Sequence, residues 1–277
     1  MISKYLGEDV FMEGIRRYLK KHAFGNTQTG DLWASLSDAS GKDVGKIMDI
    51  WTKKVGYPVV TVTENGKHIH LRQNRFLRTG DVKPEEDETL YPIFLGLRTK
   101  EGIDEDLSFN DREATLHVKD ADFFKFNADH AGIYRTSYTP ERLTKLGEAA
   151  KSGLLSVEDR AGMVADAGAL AASGYQKTSG LLGLVKGMTT EKEVVVWDEL
   201  IGRIGSIRSA WVFEYPSVKA ALKEFQKSLV SPQARRVGWE FKDTDSHLEQ
   251  QMKSLMFGSA GLAGDEEYEI LPICLVI

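Results

Sequence analysis

"IMDIWTKKVGYPVVTVTENG", residues 47–66, changes its period halfway along. Val44, Ile47, Met48 and Trp51 fall at i, i+3, i+4 and i+7, the spacing that keeps one face of a helix apolar. From Tyr57 the period is two: Val60 and Val62 alternate with Thr61 and Thr63, and Glu64-Asn65-Gly66 reads as a turn. A helical unit therefore ends near residue 56 and a unit of strands begins at 57.

Upstream, residues 1–56 read as three short helices, with Phe11, Ile15 and Leu19 on one stripe and Val44 to Trp51 on another. "FGNTQTG" supplies the turn between them, Thr29 is the expected N-cap, and Asp31 falls in the first turn, where the helix dipole favours a carboxylate. Such a small unit reads as the end of a larger helical domain. Downstream, residues 57–138 hold the short β-rich runs "YPVVTVT", "KHIHLRQ", "LYPIFLGLR", "EATLHV", "FFKFN" and "IYRTSY". Runs of this length with turn signals between them predict an all-β sandwich, with Ile69 and Leu71 pointing inward. The acidic "TGDVKPEEDE" reads as a solvated insertion. The helical period returns at Pro140, and residues 139–258 predict an α-solenoid-like array of amphipathic helices without a strict repeat. Ser156 followed by Glu158 and Asp159 is a helix opening with a cap and first-turn acids. Residues 259–277 show no helical pattern and read as a divergent, mobile tail that leaves the array without a cap.

Bulk composition excludes some functions. Of 277 residues 42% are hydrophobic and 28% charged, enough for a buried core, and the net charge is −5. With the cluster Glu85-Glu86-Asp87-Glu88 as its densest run of like charge, the chain carries no basic footprint for nucleic acid. The N-terminus has no signal-peptide pattern, and no stretch approaches the roughly 20 apolar residues of a membrane span. The final "ILPICLVI" is short and interrupted by Pro272, which suits an aggregation-prone or docking segment better than an anchor. One cysteine, Cys274, rules out an intrachain disulfide framework and suits a reducing, cytoplasmic compartment.

Motifs for chemistry are sparse. Six histidines are present and none stands in HExxH, the helical zinc motif. His68 and His70 share one strand face, which makes them candidate ligands of one ion, but two donors fall short of the three or four a metal needs. The competing reading is a polar, exposed strand face continued by Arg72. There is no GxSxG elbow, no phosphate loop and no GxGxxG. Arg135 in "GIYRTSY" is the candidate substrate-binding residue, since a guanidinium in an aromatic setting can clamp a carboxylate with both prongs of its fork. Its structural alternative is an ion pair tying the strands to the helices that follow. Trp197 and Trp211 lie at helical spacing among apolar neighbours and are expected in the core.

Three stretches in order carry a resemblance: "LGEDVFMEGIRRYLKKHAFGNTQTGDLWASLSDASGKDVGKIMDIWTKKVGYPVVTV", "FKFNADHAGIYRTSY" and "LLSVEDRAGMVADAGALAASG". Together they resemble the C-terminal half of zinc aminopeptidases of the puromycin-sensitive and aminopeptidase N type, most of all cytosolic fungal members, from Met1 to about Gly258. The resemblance implies that residues 1–56 close a thermolysin-like catalytic domain, that 57–138 form the intervening β-sandwich, and that 139–258 begin the helical domain. It also implies a reaction in which zinc-activated water removes N-terminal residues from peptides. The family's GxMEN motif, its HExxH and its transition-state Tyr have no counterparts here, so no catalytic residue and no metal ligand is carried over. The chain is thus expected to be inactive alone, with zinc belonging to the parent enzyme and the upstream catalytic half or peptides as partners. A peptide- or protein-binding module is the alternative, a hydrolase built on His68 and His70 a third reading, and self-association through the first helices is an expectation common to them.

Overall fold

The structure, a computed structural model, describes residues 1–269 of a mixed α and β chain. The expectations for Pro272, Cys274 and the apolar end lie outside the described residues. The chain opens with four helices instead of three: α1 (Ile2–Leu6), α2 (Glu8–Lys21), α3 (Thr29–Ser40) and α4 (Val44–Lys53). Gly7, at φ 82°, breaks α1 from α2 in a conformation that a side chain rarely adopts. The first turn of α3 starts one residue earlier than expected, with extended Gln28 as the cap and Thr29 already helical. Asp31 turns back to accept the Gln28 N–H at 2.8 Å. The expected stripe on α2 stops short, because Leu19 is exposed. Gly14 is the buried residue of α2, and a Cβ there would stand 2.7 Å from Leu36 Cδ2 of α3.

Eight strands follow: β1 (Pro58–Asn65), β2 (His68–Arg75), β3 (Ile93–Phe94), β4 (Leu97–Thr99), β5 (Gly102–Asp104), β6 (Ser108–Phe109), β7 (Glu113–His117) and β8 (Arg135–Ser137). β1 and β2 form an antiparallel hairpin, and the four-stranded sheet runs β7-β2-β1-β8, with β8 parallel to β1. β3 pairs with β6, and β4 with β5, as two small ribbons. Period two sends Val60, Val62, Ile69 and Leu71 to one face, where Tyr91, Ile93, Phe109, Phe124 and Phe126 close over them. On the opposite face Val59 packs with Phe76 and Leu170, while His68, His70 and Arg72 extend the same face away from the helices. The acidic insertion is solvated over most of its length but not at its end. Asp87 accepts hydrogen bonds from Asn74 Nδ2 (2.6 Å) and the Arg75 N–H (2.5 Å), which ties it to β2.

The remaining helices are α5 (Pro140–Ala149), α6 (Val157–Ala172), α7 (Thr178–Lys186), α8 (Val194–Ala210), α9 (Pro216–Val237), α10 (His247–Leu262) and α11 (Glu266–Glu269). Helical structure thus continues past residue 258, with Tyr268 buried against Phe257 at a ring separation of 5.9 Å. α5 and α7 meet through glycines. A Cβ on Gly147 would come 2.3 Å from the Leu184 carbonyl oxygen, and one on Gly187 would come 2.3 Å from the Gly147 carbonyl carbon. The apolar cluster under the sheet continues without a break through Tyr138, Leu143 and Leu146 into Met163, Trp197, Leu200 and Met256.

Candidate functional site

Arg135 enters the structure on β8, in register with Val59 of β1, and its guanidinium meets α6. Nη1 donates to Asp166 Oδ1 at 3.0 Å and to the Ala165 carbonyl at 3.5 Å, while Nε reaches the Tyr57 hydroxyl at 3.2 Å. The guanidinium carbon lies 5.1 Å from the Phe76 ring centre and 5.8 Å from that of Tyr57, within cation–π range of both. Asp166 also accepts the Thr136 N–H at 3.0 Å. Burial pushes its carboxyl above the usual range, with His130, the Thr136 N–H and Arg135 opposing that shift. The strand-to-helix tie weighed for Arg135 is therefore present in the geometry, and the Nη2 edge has no protein partner among the described residues. Arg135 lines a cleft of about 580 Å3 between the sheet and α6 and α8, whose walls also include Tyr57, Phe76, Arg78, Arg203 and Trp211. Trp197 is fully buried, as expected, whereas Trp211 is half-buried and lines this cleft.

The candidate histidines lie on one face of β2 and meet different cross-strand neighbours. His68 faces His117 across β2 and β7, with ring centres 5.4 Å apart, whereas His70 faces Thr115 and has its Nε2 3.9 Å from Glu113. Among the described residues no group of three or more His, Cys, Asp or Glu side chains converges as an ion's ligands. The donor set among the described residues does not fit a zinc ion. His117 is the neighbour that the sequence reading lacked, because cross-strand pairing is invisible until register is known.

The most heavily constrained polar group is Asp159, which the sequence presents as a helix-capping acid. It does close the capping box with Ser156, whose side chain accepts the Asp159 N–H at 3.1 Å. Fully buried, its carboxylate also pairs with Lys125 Nζ at 2.7 Å and Arg98 Nε at 2.6 Å and accepts the Asp129 N–H at 2.8 Å. Arg98 reaches Asp129 as well. Burial pulls the Lys125 ammonium below its ordinary pKa, and Asp159 counters that pull. The loop feeding this hub is strained: Asn127, Asp129 and His130 have φ of 57°, 54° and 50°. Asn127 holds the loop closed, accepting the Gly132 N–H at 2.7 Å and donating to the Tyr134 carbonyl at 3.2 Å. His130 packs so closely on α6 that a Cβ on Gly162 would overlap its ring at 2.3 Å. A second tie joins Arg142 of α5, nearly fully buried, to Glu64 of β1 through Nε (2.8 Å) and Nη2 (2.5 Å). Nothing in periodicity marks Lys125 or Arg142 as buried; the signal available for Lys125 was a charged residue inside the apolar run "FFKFN", and Arg142 in "PERLTKL" carried none.

Residues 123–269 match the ERAP1-like C-terminal domain, and residues 1–51 match the Peptidase family M1 domain. The chain belongs to the ERAP1-like C-terminal domain family. Its relatives include Aminopeptidase 2 of Candida albicans, 56% identical over 96% of this chain and 29% of the relative. Two proteins of Saccharomyces cerevisiae are also similar: "Aminopeptidase 2, mitochondrial", 51% identical over 97% of this chain and 28% of the relative, and alanine/arginine aminopeptidase, 46% identical over 99% and 32%. The chain thus spans about three tenths of the length of these relatives. Among the described residues no helix is long and apolar enough to cross a membrane.

Proposed function

We propose that this chain is the non-catalytic C-terminal portion of a cytoplasmic zinc aminopeptidase that removes N-terminal residues from peptides. In this reading residues 1–56 are the helical end of a thermolysin-like catalytic domain, 57–138 are a β-sandwich, and 139–258 open a solenoid-like helical domain that frames substrate access. The zinc and its ligands belong to another segment of the parent enzyme. The observation that carries this reading is the split match: 51 residues at one end resemble the peptidase domain and 147 residues further on resemble its C-terminal partner, in a sequence without HExxH. The sheet-to-helix ties at Asp159 and Arg142 support a framing role, since they hold the strands and helices as one body. Within that frame we assign Arg135 to the substrate-facing side, its Asp166 pair fixing the guanidinium beside the stacked rings of Tyr57 and Phe76.

The test is hydrolysis of a panel of fluorogenic aminoacyl substrates by the purified chain with zinc added, with bound metal measured in the same sample. The reading predicts no turnover and no stoichiometric zinc. Chelator-sensitive turnover that tracks bound zinc would overturn it, and loss of that activity in His68→Ala/His70→Ala would move the site to the strand face.

A second reading, an interaction module, is favoured by the apolar side chains that α2 and the following turn expose, Met12, Leu19 and Phe24. Its occupant in this proposal is the upstream catalytic half. A stoichiometric complex on mixing with that half supports it, and co-elution of neither component counts against it. Without that partner the same face favours self-association, which light scattering at high concentration reads as a mass above the monomer's.

A further inference from the structure

We infer that His68 and His117, paired across β2 and β7, form a two-imidazole chelate for a tetragonal divalent metal ion, Cu2+ or Ni2+. The site is independent of the zinc that the aminopeptidase reading places in another segment of the parent enzyme.

Strand register makes the pair. His68 stands directly opposite His117. On either side, the Val118 N–H donates to the Lys67 carbonyl at 2.9 Å and the Gln73 N–H to the Arg112 carbonyl at 3.0 Å. Hydrogen-bonded and non-hydrogen-bonded pairs alternate along an antiparallel ladder, so His68 and His117 fall at a non-hydrogen-bonded position. There the Cα atoms approach to about 4.5 Å and the side chains come closest. His70, two residues along the same face, is about 6.5–7 Å from His68 at the rise of a strand. The chelating partner of His68 therefore lies across the ladder and not along it.

The ring centres of His68 and His117 are 5.4 Å apart, with planes inclined at 75°. Two imidazoles bound to one ion at about 2.0–2.1 Å per nitrogen bring their ring centres to about 4.5–5.5 Å, so the pair already stands at chelating separation. Both residues are exposed, and β7 is an edge strand, which leaves the face open to an ion from solution. Neither ring has a hydrogen bond or ion pair among the described residues, so no protein contact is given up on binding. Other groups on the face are engaged: Glu113 with Arg72 at 2.6 Å, and His70 with Thr115 at 3.5 Å and Glu113 at 3.9 Å.

The donor set selects the ion. Two nitrogens without a free carboxylate do not suit Mg2+ or Ca2+, which take oxygen ligands. They also fall short of the three or four protein donors of a zinc site. A tetragonal ion with a preference for imidazole can fill its remaining positions with water, and copper heads the affinity order of the divalent series. A bound ion would join the edge strand to β2 and so stabilise that side of the sheet.

The experiment is calorimetric titration of the 277-residue chain, free of any affinity tag, with NiCl2, alongside electron paramagnetic resonance with half an equivalent of CuCl2. One saturable nickel site is expected, weakened about tenfold or more by His68→Asn and by His117→Asn and changed less than about twofold by His70→Asn. The copper spectrum should show coupling to two imidazole nitrogens that His117→Asn removes. Nickel should raise the melting temperature of the parent chain and of His70→Asn, and leave that of the other two variants unchanged. Both rings are exposed, so all three metal-free variants should melt with the parent. Unchanged nickel affinity in His68→Asn and His117→Asn, an equal loss in His70→Asn, or no saturation would overturn the inference. Those failures leave the aminopeptidase reading untouched, because that reading stands on turnover and on zinc.

Discussion

Helices α1–α4 close around Leu6, Leu36, Val44 and Met48, four buried side chains, whereas the strands and the later helices share one apolar cluster running from Val60 to Tyr268. The two bodies touch through Tyr5 stacked on Phe94 at 4.0 Å, Trp51 against Tyr91 at 4.9 Å, and a half-exposed Lys4–Glu105 pair at 3.2 Å. A surface pair of this kind contributes about 0–1 kcal/mol, so the junction depends mainly on apolar contact, from these rings and from Ile50 and Trp51 packed against the larger cluster. Inside the larger body the joins are of another kind, with buried charges at Asp159 and a bidentate pair at Arg142 and Glu64 spanning strand and helix. The difference teaches that cohesion follows the continuity of buried surface and not the boundary between helical and β sequence. The β-to-helix junction at residue 139 is stapled, while the helix-to-β junction at residue 56 is lightly held.

The largest effect is expected where a staple is removed. Asp159→Asn leaves the buried Lys125 without its carboxylate, Arg98 keeping Asp129, and should destabilise the larger body by about 3–5 kcal/mol, read as a lower urea midpoint. A loss under about 1 kcal/mol would mean that water replaces the staple, and the contrast between the junctions would fail. Next comes Gly147→Ala, where the new methyl meets backbone that cannot yield and should cost about 1–3 kcal/mol or more. Its counterpart in the smaller body is milder. In Gly14→Ala the methyl meets the end of the buried Leu36 side chain at 2.7 Å and its Cα at 3.2 Å, and a cost of about 1 kcal/mol, confined to α1–α4, is expected from circular dichroism melts.

His130 sharpens the comparison through pH. Burial holds its pKa below the ordinary 6.5, so in acid the unfolded chain takes up a proton before the folded one does. Its contribution is complete above the ordinary histidine value and is lost as pH falls through that value toward the folded one. Asp166, whose pKa is raised by burial, acts with the opposite sign, the folded state gaining relative stability as pH falls through the raised value. His130→Asn, which suits the left-handed backbone there, should flatten the acid loss that is due to the imidazole. A His130 titration midpoint at or above 6.5 by NMR would contradict the burial argument.

Much of the element layout was legible in the sequence because it depends on local period. Val44 to Trp51 and Val60 to Val62 declare their faces within a few residues, and Ile69 and Leu71 point inward as alternation requires. Cap chemistry placed Ser156 correctly and missed α3 by one residue, since cap preference favours Thr29 whereas the backbone makes extended Gln28 the cap. The functional geometry was less legible. Arg135 stood out, but its companions Arg78 and Arg203 lie 57 residues below and 68 above it in sequence and come together only through the packing of sheet on α6 and α8. Period two is local and puts His68 and His70 on one face, but it says nothing of their cross-strand neighbours, His117 and Thr115. Asp159 was read as a cap, and its second role depends on Lys125 arriving from the loop after β7 and Arg98 from β4.

Native-state hydrogen exchange, resolved by residue, tests the unequal cohesion most directly. The account predicts that amides of α2 and α3 open in a sub-global step at distinctly lower free energy than those of β1, β2 and α6, which exchange together through global unfolding. Leu36→Ala should then lower protection in α1–α4 and leave β1, β2 and α6 unchanged. One common opening free energy across both bodies, shifted everywhere by Leu36→Ala, would contradict it.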